Sequence, residues 1–124
     1  MARDTTVFLV DDDAAVRDSL KLLLETHGLA VKDFDSGKAL LQNDMPRAAD
    51  CLVCDIHMPV MSGIDLIETL ARRGLSRPTI LITGRVDAAL RRRAQAAGAF
   101  LVLEKPFDGT QLIDAIDRAV GARN

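Results

Sequence analysis

Three consecutive aspartates, Asp11, Asp12 and Asp13, and a fourth, Asp55, each follow directly on a short apolar run. Two other apolar runs lead into a hydroxyl, Thr83, and an ammonium, Lys105. Carboxylates brought close together cannot all stay ionised unless a cation holds them. An all-oxygen ligand set suits a small hard cation such as Mg²⁺, which keeps several waters and takes one or two carboxylates. A carboxylate beside such an ion, with a lysine and a hydroxyl opposite, meets the needs of phosphoryl transfer. The cations neutralise the equatorial oxygens while the carboxylate attacks in line. A second group competes with this reading. Cys51, Cys54 and His57 fall within seven residues, CLVCDIH, a spacing open to a metal knuckle or a redox pair.

What positions these groups is an alternation of short apolar runs and helix-like stretches. TTVFLV (5–10), CLVC (51–54), PTILIT (78–83) and AFLVL (99–103) are apolar on both faces, as strands covered on both sides should be. LAVKDF (29–34) is mixed and suits an edge. Helical spacing marks 14–27, with Val16, Leu20, Leu23 and Leu24, stopped by Gly28. It marks a short stretch at 36–43, and 62–73 with Ile64, Ile67 and Leu70. An alanine-rich stretch at 87–97 follows, then 108–120 with Leu112, Ile113, Ile116 and Val120. The pattern predicts an α/β fold of (βα)5 type, a doubly wound, parallel five-stranded sheet with right-handed crossovers.

In open parallel sheets the ligand site lies beyond the carboxyl ends of the strands. With the flavodoxin-like strand order 2-1-3-4-5, Asp11, Asp12 and Asp55 converge at the centre, flanked by Thr83 and Lys105. Singly, each aspartate also fits a helix N-cap or a solvated strand end. Five such residues at the ends of four strands argue for one site, because independent placement would scatter them. The same strand geometry weighs against the cysteines. Three residues apart at ~3.3 Å each, Cys51 and Cys54 sit ~10 Å apart on opposite faces, beyond the ~7 Å reach of a disulfide. They read as buried, inert thiols.

Composition narrows the rest. A chain of 124 residues fits a single domain spanning 1–124, and 48% hydrophobic with 27% charged residues describes an ordinary globule. A net charge of −2 gives no global reason to bind nucleic acid. No apolar run approaches the ~18 residues of a membrane span. The opening MARDTTVFLVDDD is too briefly apolar for a signal peptide. Two cysteines make no disulfide framework, so a cytoplasmic location is expected. With four phenylalanines and neither tryptophan nor tyrosine, the core must be mostly aliphatic.

These pieces together resemble the receiver domain of two-component response regulators. VDDD (10–13) is similar to the family's acidic pair after the first strand. DIHMP (55–59) with Gly63 resembles its phosphorylation loop, ITG (82–84) its threonine and small residue, and EKPF (104–107) its lysine–proline signature. ITGRVD and EKPF look most like FixJ-type receivers. The resemblance implies that Asp55 is the phosphoacceptor for a sensor histidine kinase. Asp12, Asp55 and the backbone carbonyl of His57 would ligate Mg²⁺, with Asp11 acting through a water. Lys105 would pair with Asp55 before phosphorylation and with a phosphoryl oxygen afterwards. Thr83 would donate to another phosphoryl oxygen, Gly84 would leave room for the group, and Lys105–Pro106 is a candidate cis peptide. His57 and Arg85 would flank the phosphoryl group and modulate its lifetime.

The chain departs from the family pattern at Val102, where an aromatic is usual; the nearest aromatic is Phe100. Switching is therefore expected in the loop 83–87 and the helix after it, held by Leu90 and several alanines. FixJ-type receivers associate through the fourth helix and fifth strand, which implies a phosphorylation-dependent homodimer. Asp108, Asp114 and Asp117 are candidate partners for Arg91, Arg92 and Arg93. The arginine run, without aromatic companions, otherwise reads as a solvated face, so DNA contact is expected only through an output domain outside these residues. Two alternatives stand beside this reading: a receiver-like interaction module that is never phosphorylated, and a phosphatase of related fold. The second wants an aspartate where His57 stands. A nucleotide-binding protein would need a glycine-rich phosphate loop that the chain lacks.

Overall fold

A computed structural model describes residues 5–43 and 46–123. Residues 1–4, the start of the stretch read as no leader, lie outside the described residues, as does residue 124 at the end of the expected domain. Five parallel strands form one sheet in the order β2-β1-β3-β4-β5, as the alternation predicts. They are β1 (Thr6–Val10), β2 (Ala30–Phe34), β3 (Cys51–Asp55), β4 (Thr79–Thr83) and β5 (Leu101–Glu104). The helices are α1 (Ala14–Thr26), α2 (Gly37–Leu41), α3 (Gly63–Arg72), α4 (Ala88–Ala97) and α5 (Gly109–Arg123). Among the described residues no helix is long and apolar enough to cross a membrane.

The sheet is covered on both faces, which is why its central strands carry no polar alternation. On one side Val7, Leu9, Val53, Ile80 and Ile82 pack with Leu24 of α1 and with Leu112 and Ile116 of α5. On the other, Phe8, Val10, Leu52 and Leu81 pack with Leu40 of α2, Ile64, Leu66 and Leu70 of α3, and Ala94 of α4. The Phe8 and Phe34 rings meet at 5.3 Å, a tilted aromatic pair in an otherwise aliphatic core. Cys51 and Cys54 are both fully buried and belong to opposite faces. Burial pushes the Cys51 thiol up to about 12 and also raises that of Cys54, so neither is a thiolate at neutral pH.

Helices α1, α3 and α4 each start on a side chain that satisfies their free amides. Asp13 accepts from the N–H groups of Ala15 (2.9 Å) and Val16 (3.2 Å) ahead of α1. Ser62 and Asp65 form a reciprocal capping box on α3, and Asp87 accepts from Leu90 N–H at 2.7 Å ahead of α4.

Two expectations change. AFLVL does not run as a strand from residue 99, because α4 ends on Gly98 in the left-handed conformation (φ 99°) and the Ala99 N–H bonds back to Ala94 at 3.0 Å. Ala99 is thus spent closing the helix. β5 is also an edge, with Leu101, Val102 and Leu103 only half-buried rather than covered on both sides. Phe100 lies outside it and lines a cavity of ≈ 60 Å³ with Arg91, Gln95 and Val102.

Candidate functional site

The register brings the acidic residues together. Val10 pairs with Cys54 across β1 and β3, so the next residues, Asp11 and Asp55, emerge side by side at the carboxyl end of the sheet. The three aspartates after β1 divide their work. Asp13 is turned away to cap α1. Asp11 and Asp12 each offer a carboxylate oxygen which, with one from Asp55, forms a set mutually within 4.8 Å, close enough for one metal ion. An all-carboxylate oxygen set fits a hard divalent cation such as Mg²⁺.

Asp11 is buried, Asp55 half-buried and Asp12 exposed, so the cluster faces outward through Asp12. Burial is the main cause that raises the Asp11 carboxyl above its ordinary range; Asp55 and Asp12 add repulsion, while the Asp13 N–H and Lys105 oppose it. The Asp13 N–H donates to Asp11 Oδ1 at 2.8 Å, and the His57 N–H donates to Asp55 Oδ1 at 3.2 Å. Gly63 is required behind Asp55. A Cβ there would lie 2.6 Å from the Asp55 carbonyl oxygen and 3.0 Å from Leu81 Cδ2.

The opposite wall comes from β4 and β5. Thr83 is fully buried at the end of β4. Its carbonyl accepts from the Lys105 N–H at 2.8 Å, which places Lys105 alongside. The Lys105–Pro106 bond is cis. Lys105 is half-buried, and among the described residues it forms no ion pair with Asp55, unlike the resting pair implied above. Its charge acts across space instead, favouring the ionised form of Asp11. Around Gly84 the space is open: a Cβ at that position would have no atom within 4 Å. His57 and Arg85 are exposed and line a cleft of ≈ 330 Å³ with Asp87, Leu90 and Arg93. Val102 is half-buried, two strands away from Asp55 in the sheet order.

Arg17 escaped the sequence reading. Its Nη1 donates to the Asp11 carbonyl at 2.8 Å and its Nε to Asp33 Oδ2 at 3.0 Å, while Lys21 Nζ reaches Asp33 Oδ1 at 3.1 Å. The loop after β1 is thereby tied to β2. Burial of Asp33 works against its charge, but the hydrogen bonds and charges of Lys21 and Arg17 prevail and hold its carboxyl below the ordinary range. A second unforeseen contact joins His57 Nε2 to Thr83 Oγ1 at 3.1 Å.

The sequence profile of the response regulator receiver domain matches residues 7–117. The chain is 40% identical to the transcriptional regulatory protein FixJ of Azorhizobium caulinodans over 121 residues, 98% of this chain and 57% of that protein. It is 40% identical to the transcriptional regulatory protein TdiR of Thauera aromatica over 94% of this chain and 51% of that one. The chain therefore spans about half the length of the curated relatives it matches. The crystal structure of FixJ-N superposes with a TM-score of 0.87 at 39% identity, covering 97% of this chain and 96% of that one. The Vibrio cholerae chemotaxis protein CheY4 superposes at 0.88 over 94% of this chain and 99% of its own, with 24% identity, a likeness of fold alone. Matched by that profile from Val7 in β1 to Asp117 in α5, this chain belongs to the response regulator receiver domain family.

Proposed function

We propose that this chain accepts a phosphoryl group on Asp55 from a sensor histidine kinase and that the modification switches the 83–103 region. The observation that carries this reading is the convergence of Asp11, Asp12 and Asp55 within 4.8 Å, facing a buried Thr83 and a half-buried Lys105. In this reading Asp12, Asp55 and the His57 carbonyl hold Mg²⁺, and Asp11 acts through a bound water. The ion, when bound, supplies positive charge to the phosphoryl oxygens.

A carboxylate oxygen of Asp55 attacks the phosphorus in line. The O–P bond forms as the P–N bond of the donor phosphohistidine breaks, and the electron pair leaves on the imidazole. The His57 N–H donates to Asp55 Oδ1, and in this reading Oδ2 is the attacking oxygen. Lys105 then pairs with one phosphoryl oxygen and Thr83 donates its hydroxyl to another, in the open space beside Gly84. Hydrogen bonds to such a charged group contribute ~1.5–3 kcal/mol, enough to move a two-state ratio roughly ten- to a hundredfold. The region that follows, α4 and β5, would form a phosphorylation-dependent homodimer, in the cytoplasm, with DNA reached only through an output domain beyond this chain.

Intact-mass analysis after incubation with acetyl phosphate and Mg²⁺ tests the proposal. A base-labile adduct is expected on the wild-type chain and none on Asp55→Asn; an adduct that survives this substitution, or none from any phosphodonor or histidine kinase, refutes it. Light scattering with and without beryllofluoride tests the dimer, which an unchanged mass would refute.

A further inference from the structure

With a hydrogen on His57 Nε2, the hydroxyl of Thr83 has no capacity left to spend. It donates to the Arg85 carbonyl at 3.2 Å, accepts from the Arg85 N–H at 3.3 Å, and lies 3.1 Å from His57 Nε2. A hydroxyl has one proton and two lone pairs. With the proton given to Arg85, both lone pairs are taken when Nε2 of His57 carries its hydrogen. The two partners differ in kind. Arg85 belongs to the threonine's own loop, whereas His57 reaches across from the loop of Asp55, where its N–H is anchored on Asp55 Oδ1 at 3.2 Å. This bond is a side-chain tie between the two halves of the site, and it is made by an exposed residue to a fully buried one.

We infer that His57 is a positioning residue: a clasp that holds the Thr83 hydroxyl toward Arg85 in the resting protein. The inference rests on the reading of Thr83 as a phosphoryl contact. To donate to a phosphoryl oxygen, Thr83 must withdraw its proton from the Arg85 carbonyl, and turning the side chain also pulls the oxygen from His57. Releasing the clasp frees the backbone of Arg85, and with it the loop that leads into α4. The His57 side chain thus sets how readily the switch moves before any phosphate arrives, a role separate from that of its carbonyl.

The test is made by NMR on the full chain without phosphodonor, reading three-bond couplings to Thr83 Cγ2, which report χ1, and the amide shifts of Gly84 and Arg85. In the wild type one Thr83 rotamer is expected. In His57→Ala the couplings become averaged, with the ratio of turned to resting rotamer raised about fivefold, the effect of losing one hydrogen bond of ordinary strength. His57→Gln, which keeps an N–H donor at similar reach, restores the wild-type couplings. On a Thr83→Val background, where no hydroxyl remains to be held, His57→Ala leaves the Arg85 amide unmoved. Unchanged couplings in His57→Ala, or an Arg85 shift of equal size with and without the threonine hydroxyl, overturns the inference. The mass experiment on the wild-type chain fails separately if the receiver reading is at fault, because these couplings are measured on the unphosphorylated protein.

Discussion

Two of the loops that frame the site differ in mechanical character. The loop from Asp55 to Gly63 is fastened at both ends: Ile56 N–H bonds to Ile82 at 2.9 Å, and Gly63 N–H bonds to Ile56 at 2.9 Å. Ile56 and Met58 are buried, and the following helix α3 buries Gly63, Ile64, Leu66, Ile67 and Leu70 behind a capping box. The loop from Thr83 to Asp87 has little of this. Gly84 and Arg85 are exposed, and α4 buries only Ala94, with Leu90 and Ala97 half-buried. Regions with few buried apolar contacts open at low free-energy cost. In the function proposed above, the phosphoacceptor Asp55 stands on the firmly packed loop and the responding Thr83 hydroxyl on the loop that is cheap to move. A switch needs that asymmetry, since a site that yielded everywhere would not transmit a change.

The contrast breaks first under core truncation. Leu66 is fully buried, and Leu66→Ala should cost ~3 kcal/mol of stability in urea denaturation. Leu90, half-buried, should cost ~1 kcal/mol when changed to alanine. Comparable losses from the two would mean that α4 is held as firmly as α3.

Two glycines repeat the comparison at the backbone. Gly63→Ala forces a Cβ to within 2.6 Å of the Asp55 carbonyl oxygen and should cost ~2 kcal/mol, by the reasoning that governs overpacked cores. Gly84→Ala meets no atom within 4 Å and should change stability by less than ~0.5 kcal/mol. Equal midpoints for the two variants would show that the loop behind Asp55 can shift after all.

Much of this arrangement was legible in the chain, because buried parallel strands must be continuously apolar and their ends must carry whatever the site uses. Asp11, Asp12, Asp55, Thr83 and Lys105 could be placed at one edge from strand order alone. The limits of that reasoning are equally physical. β5 begins two residues later than its apolar run, since the cap of α4 on Gly98 consumes Ala99. The apolar pattern reports what is buried and is silent on which backbone group a residue must satisfy. Arg17 and the bond between His57 and Thr83 depend on side-chain reach between segments distant in sequence, 26 residues apart in the second case. No local spacing encodes such contacts. Asp13 was ambiguous for another reason, because an aspartate before a helix suits a cap and a metal alike.

The loop after β1, beside that of Asp55, bears the electrostatic cost of the site. Asp11 is 2% exposed and its carboxyl is raised, chiefly by burial. For an acid whose folded pKa lies above its unfolded value, the ionised form destabilises the fold. That penalty is present at neutral pH and is relieved as pH falls through the folded pKa, and fully so below ~4. Asp11→Asn should therefore stabilise the metal-free protein at pH 7, with the advantage disappearing in acid. Asp33, held below its ordinary range, has the reverse sign: its contribution is present above the unfolded pKa and is lost as pH falls through the folded one. Urea denaturation of both asparagine variants at several pH values checks the two signs, and the same sign at both positions would contradict them.

The smallest expected effect lies at Val60, on the firmly packed loop. It is fully exposed with φ 71°, the one non-glycine residue with positive φ among those described, and Met61 N–H bonds to the Pro59 carbonyl at 2.8 Å. This is a γ-turn of the strained, positive-φ kind. A β-branched residue in the left-handed region costs ~1–2 kcal/mol, yet its side chain gains nothing by burial. The strain persists because both ends of the turn are fixed, by buried Met58 on one side and the capped start of α3 on the other. Val60→Gly removes the steric cost but gives the unfolded chain more freedom, worth ~0.4–1 kcal/mol in the opposite direction. The net should be a gain of ~0.5 kcal/mol in urea denaturation, with the Asp55 and His57 amide resonances unmoved. A loss of stability, or movement of those resonances, would mean that Val60 shapes the loop and that this loop is less rigid than its packing implies.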